Sequence, residues 1–285
     1  MTRRRFPVGK TLLYVFMSLW ALTTIYPFIW VILNSFKPRG LIRRDTFSLP
    51  IGDKFTLENY VTAFKRVDIG TAYVNSIVIS GAVTVVVMVL AGLAAYAMVR
   101  YSFRLRGFLH SMIIASMMFP VFSTIIPVFR MESSWGIVNT GSIWLTRLSV
   151  VLPQIAGNLS FAIIVLMGFI RSLPVDLEEA AYLEGYNVYQ IFFRIIMPLA
   201  KPSFATVGIF TFLWSYNDLF LQMFFLRSKK FFTITRLLNE ISSQAGTNYG
   251  LMVAAVVMVV IPVLVVYIFL QNYIIKGMTA GAVKG

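Results

Sequence analysis

Residues 171–201 read RSLPVDLEEAAYLEGYNVYQIFFRIIMPLAK, a polar stretch set between two long apolar runs. Asp176 stands three residues before Glu179, a spacing that predicts a capped helix start. Gly185 can adopt the left-handed backbone that ends a helix. The first half of this stretch is therefore predicted to be a short helix that Asp176 begins and Gly185 ends.

The second half of the stretch predicts another short helix. Asn187 with Gln190 repeats the capping spacing, and Pro198 is expected to stop the helix. Its apolar residues are Ile191, Phe192, Ile195 and Ile196. Leu177, Ala180 and Ala181 give the first helix a small apolar face. Together the two helices are predicted to form a compact knob outside the membrane, which could dock into a groove of a partner.

The composition indicates a membrane protein, because 58% of the 285 residues are hydrophobic and 13% are charged. With no cysteine and a single histidine, His110, no metal site and no catalytic site are expected. The net charge of +14 does not indicate nucleic-acid binding, since the charges lie between apolar runs. They are better explained as loops that flank a bilayer.

Six apolar runs are long enough to cross a bilayer as helices, which takes about 20 residues. They lie at about 11–34, 72–98, 107–129, 148–170, 203–226 and 251–273. Prolines inside these runs predict kinks, at Pro27, Pro120, Pro127, Pro153 and Pro262. The chain is thus predicted to be an all-α membrane protein with six transmembrane helices in a single domain, residues 1–285.

Charge alone leaves the orientation of these helices open. With the N-terminus inside, 12 Lys and Arg lie on the inner side and 13 on the outer side. Clusters at residues 3–5 and 100–106 favour a cytoplasmic N-terminus under the positive-inside rule. Residues 37–44 carry an opposing cluster.

The motif within residues 171–201 resembles a known family. Its residues follow the spacing E-A-A-x3-G-x9-I-x-L-P of the EAA motif in permease subunits of binding-protein-dependent ABC importers, with Met197 in place of Leu. The C-terminal residues 276–285, KGMTAGAVKG, look like the tail of the carbohydrate branch, which includes the maltose-type importers.

This resemblance implies a type I ABC importer permease fold, in which the EAA loop, residues 171–201, is cytoplasmic and docks on an ATPase subunit. Both termini would then be cytoplasmic, in the inner membrane of a bacterium or archaeon. The resemblance marks the candidate ATPase-coupling residues as Glu179, Ala180, Ala181, Gly185, Ile195 and Pro198. A plain structural role, with Glu179 only capping its own helix and Gly185 only ending it, is the alternative.

The resemblance also implies a set of partners: a second homologous permease, an ATPase dimer, a solute-binding protein and a saccharide substrate, all around the lipid bilayer. The sequence lacks the phosphate-binding pattern G-x-x-x-x-G-K-[ST]. ATP and Mg²⁺ are therefore expected on the partner ATPase chains, with no cofactor on this chain. The chain is predicted to be a transport subunit and no enzyme by itself.

A polar stripe on the fifth span is the candidate substrate path. At about 100° per residue, one arc of the helix holds Thr211, Trp214, Ser215, Asp218 and Gln222. Such a stripe could bind sugar hydroxyls and stack a sugar ring on Trp214, or it could hold helices together. Gln154 and Asn158 on the fourth span have the same two interpretations.

The outer segments hold 13 basic and six acidic residues, a surplus that favours an acidic saccharide. The inner side has a similar surplus, so the preference is weak. One rival function is an ABC importer for a non-sugar solute. A rival from another class is an ion-coupled secondary transporter or an intramembrane enzyme, but both need several buried ionisable groups, and Asp218 stands nearly alone.

Overall fold

The computed structural model describes residues 8–66, 68–244 and 248–282. Every regular element in those ranges is helical, as the composition predicts. The α-helices in chain order are α1 (Val8–Ser35), α2 (Arg39–Arg44), α3 (Glu58–Arg66), α4 (Ile69–Arg100), α5 (Arg106–Ser116), α6 (Val121–Ser134), α7 (Ile143–Ile170), α8 (Asp176–Leu183), α9 (Val188–Ile191), α10 (Met197–Leu199), α11 (Lys201–Asn217), α12 (Phe220–Phe225), α13 (Ile234–Gln244) and α14 (Tyr249–Ala282). A π-helical segment, Phe192–Ile196, joins α9 to α10, and 3₁₀ turns lie at Gly52–Lys54 and Lys229–Phe231.

Three of these helices, α1, α4 and α7, are long and apolar enough to cross a membrane by length and composition. Two bent pairs raise the number to as many as five: α5 with α6, and Val188–Leu199 with α11. The apolar helical segment Tyr249–Val265, which belongs to α14, is shorter than these spans. The count of six spans therefore stays a prediction.

The predicted helix over 107–129 is broken near Pro120, the position at which the sequence predicts a kink. Helix α5 ends at Ser116, α6 begins at Val121, and the two axes differ by 104°. Pro120 explains the break, since it lacks the N–H that would continue α5 and keeps the preceding residue out of helical geometry.

The prediction of one helix over 203–226 is wrong. Helix α11 ends at Asn217, and Asp218 has an extended backbone with ψ of 110°. The Asp218 Oδ1 atom accepts a hydrogen bond from the Leu221 N–H at 3.1 Å. This side-chain contact competes with the helical backbone and starts α12 as a new helix. The helical projection of Gln222 from Trp214 therefore does not apply.

The described chain groups into two compact units, while the single-domain prediction stays a prediction. The first comprises residues up to Ile69 together with Leu238–Pro262. Lys37 is fully buried there, and burial lowers the pKa of its ammonium. The Nζ atom still donates to two backbone carbonyls at 3.0 and 2.9 Å, those of Asp45 and Thr46. These hydrogen bonds fold the loop after α1 around the lysine.

The second unit comprises Gly70–Leu237 and the chain from Val263. Its core contains a fully buried stripe of α4 at four-residue spacing: Val83, Val87, Ala91 and Ala95. The same core includes Leu166 and Ile170 of α7 and Phe204 and Val207 of α11. It also includes residues of the 171–201 loop: Ala181, Ile191, Phe192 and Ile196. The loop thus packs into the core of this unit.

Candidate functional site

A buried ion pair joins the end of α4 to the first turn of α8. The Arg100 Nε atom donates to Glu178 Oε1 at 2.5 Å, and the Tyr96 hydroxyl donates to Glu178 Oε2 at 2.7 Å. The Arg100 and Glu178 side chains are 11% and 5% exposed. Because both carboxylate oxygens have donors, the buried charge is satisfied and α8 is held against α4.

The prediction that Asp176 caps α8 is wrong, and the carboxylate that holds this helix in place is that of Glu178. Val175, which already has helical dihedrals, occupies the N-cap position and makes no side-chain cap. Asp176 is the first helical residue, where a carboxylate still suits the positive end of the helix. Glu179 is exposed, whereas its neighbour Glu178 is buried.

The turn between α8 and α9 is as predicted. Gly185 has φ of +85°, the left-handed conformation that ends the first helix. The Asn187 Oδ1 atom accepts from the Gln190 N–H, and Gln190 Oε1 accepts from the Asn187 N–H, both at 2.9 Å. This reciprocal pair is a complete capping box.

Pro198 does not stop the second helix, contrary to the prediction. The chain stays helical through Leu199 and bends by 82° before α11. Pro198 lies at the start of α10, after the π-helical segment. The wider turn of a π-helix gives the proline ring room that an α-helix would deny it.

The remaining motif residues divide between two sides of the loop. Ala181 is buried and Ile195 is half-buried. Ala180 and Pro198 are exposed, as is Leu177. Of the three residues in the apolar face predicted for α8, Ala181 faces the core, whereas Leu177 and Ala180 face outward. The exposed side leaves the loop open to a partner.

Four of the substrate-path candidates form a chain of hydrogen bonds with Thr233, called here the polar cluster: Gln154, Ser215, Asp218, Gln222 and Thr233. Gln154 Nε2 donates to Asp218 Oδ2 at 2.9 Å, and Ser215 Oγ donates to Gln154 Oε1 at 2.6 Å. Gln222 Nε2 donates to the Ser215 carbonyl at 3.1 Å, and Thr233 Oγ1 bonds to Gln222 Oε1. Both amides are thus satisfied within the protein, which is the expected property of contacts that hold helices together.

The other path candidates lie around this cluster with different exposures. Thr211 is fully buried, so a substrate cannot reach it in this conformation. Asn158 is half-buried and donates to the Gln154 carbonyl at 2.7 Å. Trp214 is 47% exposed, with its ring 4.8 Å from Phe161 and 5.6 Å from Phe210 between centroids. Of the predicted stripe, Trp214 has the most open surface for a ligand.

A comparison with protein families decides the identity of this fold. Residues 88–280 match the family described as binding-protein-dependent transport system inner membrane component. The chain belongs to this family. Its members are membrane proteins, in keeping with the apolar helices of the structure.

Two relatives of the family are similar along most of their length. The diacetylchitobiose uptake system permease protein NgcG of Streptomyces coelicolor is 33% identical over 273 residues, 95% of this chain and 88% of the relative. The trehalose transport system permease protein SugB of Mycobacterium tuberculosis is 32% identical over 263 residues, 92% and 93% of the two chains. These relatives show that the family assignment applies to nearly the whole chain.

A solved structure has the same fold. A chain in the crystal structure of a bacterial ABC transporter involved in the import of the acidic polysaccharide alginate has a TM-score of 0.81 and 24% identity, covering 96% of this chain and 99% of that one. The architecture is that of an ABC importer permease.

Sequence reasoning did not assign four residues to these sites: Tyr96, Arg100, Glu178 and Thr233. Each contacts a residue of another element, so none has a local spacing signal. A weak signal for Glu178 exists, since a carboxylate beside the motif could pair with the arginine that ends α4. Nothing in the local sequence pairs Thr233 with Gln222.

Proposed function

We propose that this chain is one of two permease subunits of an ABC importer that moves an oligosaccharide across the inner membrane. Two ATPase subunits and a solute-binding protein complete the complex. The observation that carries the proposal is the 171–201 loop, which follows the EAA spacing and has one side in the permease core and the other exposed. The relatives NgcG and SugB, named for diacetylchitobiose and trehalose, support a saccharide substrate.

The same proposal extends to the membrane topology and to the place where ATP binds. The chain would cross the membrane six times, with α14 as the last span, and the exposed side of the 171–201 loop would face the cytoplasm. Both termini would then be cytoplasmic. ATP and Mg²⁺ would bind to the ATPase subunits, since this chain lacks the phosphate-binding pattern. Closure of the ATPase dimer would move the loops and open the path alternately to each side.

The substrate would pass beside Trp214, whose exposed ring can stack on the face of a sugar. The polar cluster would stabilise the helices around that path. The basic surplus of the outer segments would suit an acidic oligosaccharide, but the inner segments carry a similar surplus, so charge gives little preference over a neutral one.

The experiment is to purify the complete complex in lipid nanodiscs and liposomes and to measure ATP hydrolysis and uptake with the loaded solute-binding protein. Neutral and uronate oligosaccharides of equal length form the panel. We expect uptake that needs hydrolysable ATP and survives a protonophore. Uptake driven by an ion gradient without ATP would support the secondary-transporter rival, and stimulation by non-sugar solutes alone would support the other rival.

A further inference from the structure

Helix α8 has two faces with different surroundings. Glu179, Ala180 and Leu183 are exposed, Leu183 to 91%. Glu178 and Ala181 are buried. A partner that displaces the loop can therefore contact only the exposed face. The displacement can reach the rest of this chain only through contacts of the buried face.

Tyr96 of α4 meets both helical parts of the 171–201 loop. Its hydroxyl donates to Glu178 of α8 at 2.7 Å. Its ring lies 5.6 Å from the Phe192 ring, at the start of the π-helical segment. A single side chain thus links the two halves of the loop to the same turn of α4.

Arg100 adds a second link one helical turn further along α4. Its Nε atom bonds to Glu178, and its Nη2 atom donates to the Leu173 carbonyl at 2.9 Å. Leu173 precedes α8, so the guanidinium holds the approach to the helix as well as its first turn. Because the fork of a guanidinium is planar and rigid, these bonds fix the angle of α8 relative to α4.

Close packing at Gly92 makes this contact resistant to deformation. A Cβ atom at Gly92 would lie 2.8 Å from the Phe204 ring and 3.0 Å from the Phe192 ring. Helix α4 therefore approaches these rings as closely as only glycine allows. Close-packed interiors of this kind transmit displacement with little compression.

We propose that Tyr96 and Arg100 are positioning residues that make α4 and the 171–201 loop move as one body. When the ATPase displaces the exposed face of α8, α4 then moves with it and transmits the displacement into the membrane. The proposal rests on the proposed function, because it requires an ATPase partner at the loop. It goes beyond that function in naming the helix and side chains that receive the movement.

Pulsed electron resonance can measure whether the two elements move together. The chain has no cysteine, so spin labels can be placed at Leu183→Cys on the loop and Val85→Cys on an exposed part of α4. In the assembled complex we expect the Leu183–Val85 label distance to be the same with and without trapped ATP. With Tyr96→Phe and Glu178→Gln together, which nearly preserve shape but weaken the links, we expect the distance to shift by about 2 Å or more on ATP binding.

The matched control is Tyr14→Phe with Glu58→Gln, the same chemical changes at exposed residues of α1 and α3. It should behave as the parent does. A parent distance that already shifts on ATP binding, or a linked-pair variant that keeps its distance, overturns the proposal. If the double variant fails to assemble, Tyr96→Phe alone tests the same expectation, since it keeps the ring against Phe192.

A functional readout separates positioning from plain structural support. We expect the ratio of substrate-stimulated to basal ATP hydrolysis to fall about threefold or more in the variant. An unchanged ratio with a lower yield of complex would mean that the residues only stabilise the fold, and would overturn the proposal. Failure of the parent complex to take up any saccharide would contradict the proposed function instead, and the label distances would still be measurable with the ATPase subunits alone.

Discussion

The Arg100 guanidinium lies 2.5 Å from the Glu178 carboxylate, although 78 residues separate them in the chain. Arg100 is the last residue of α4, and Glu178 lies in the first turn of α8. Both side chains are almost wholly withdrawn from solvent. The contact therefore attaches the motif-bearing loop to a long helix, and it gives Glu178 a different environment from its neighbour Glu179, the first residue of the motif.

We expect Glu178→Ala to lower the stability of the purified protein much more than Glu179→Ala. Removing one member of a buried ion pair leaves the other uncompensated and costs about 3–5 kcal/mol, whereas truncation of an exposed side chain costs about 0.5 kcal/mol or less. Thermal unfolding in detergent, followed by fluorescence-detected size exclusion, measures both variants side by side. Equal losses of apparent melting temperature would contradict the different burial of the two residues.

Gly185→Ala is expected to destabilise the loop through its backbone alone. The left-handed conformation costs a residue with a Cβ about 1–2 kcal/mol, and no atom lies within 4 Å of where that Cβ would be. Gly157→Ala is the matched control, because it also meets no atom within 4 Å but lies in helix α7. Gly185→Asn should retain more stability than Gly185→Ala, since asparagine tolerates this conformation better. The order Asn, then Ala, in stimulated ATP hydrolysis and melting temperature checks the argument, and Gly185→Val should be worse than either.

Asn187→Ala should destabilise the second helix of the loop by about 1 kcal/mol, since it removes the acceptor of the capping box. Gln190→Ala removes the reciprocal acceptor. Because the two side chains cap one helix start, their combined effect should be less than additive. Melting temperatures of the single and double variants form the cycle, and strict additivity would show that the two hydrogen bonds act independently.

Trp214→Ala and Asp218→Asn should fail in different ways. Trp214 offers an exposed ring, so its loss should alter uptake or saccharide preference while the complex assembles normally. Asp218 accepts from Gln154 and from the Leu221 N–H through separate oxygens. An asparagine would place an N–H against one of these donors, which costs about 1–3 kcal/mol.

The measurements for this pair are complex yield, melting temperature and uptake across a saccharide panel. Ser215→Ala is the control for the polar cluster, because it removes a donor to Gln154 at a buried residue and leaves the Trp214 ring and the Asp218 carboxylate in place. If Asp218→Asn has normal stability but altered uptake, Asp218 acts in the substrate path and does not serve to hold the helices together. Unchanged uptake in Trp214→Ala would remove the ring from the path.

Cysteine labelling should place the 171–201 loop inside the cell. Leu183→Cys, at a site 91% exposed, should resist a membrane-impermeant maleimide in intact cells and react in inside-out vesicles. Lys229→Cys, at an exposed site in the segment after α12, should show the reverse pattern. The absence of native cysteine keeps the background low. Reaction of Leu183→Cys from outside intact cells would reverse the proposed topology.

Much of this architecture is readable in local sequence. The apolar runs predict helices because a bilayer leaves the backbone no other hydrogen-bond partners, and the described chain is helical throughout its regular elements. Gly185, Asn187 and Gln190 act through neighbours one to three residues away, so their spacing alone predicted the turn and cap that the structure contains.

Local sequence failed where a side chain competes with the helix. Asp218 ends α11 by bonding to the Leu221 N–H, although it lies in a run whose hydropathy predicts a continuous helix. The break between α5 and α6, by contrast, lies at Pro120, where the sequence predicted a kink. Hydropathy indicates how apolar a segment is, and it carries no information on whether the backbone keeps its helical hydrogen bonds. At Pro198 the sequence predicted a helix end that the structure does not have, because the preceding π-helical segment accommodates the proline ring.

The sequence by itself determined the helical class, the family motif and the local turns, because each depends on residues close together in the chain. Only the tertiary structure decided that Glu178 and not Glu179 is buried, and that Gln154, Ser215, Asp218 and Gln222 bond to one another. Gln222 lies seven positions from Ser215, whereas the other contacts join residues 61 to 78 positions apart. Their partners are set by how α4, α7, α8 and α11 pack, and no local periodicity encodes that packing.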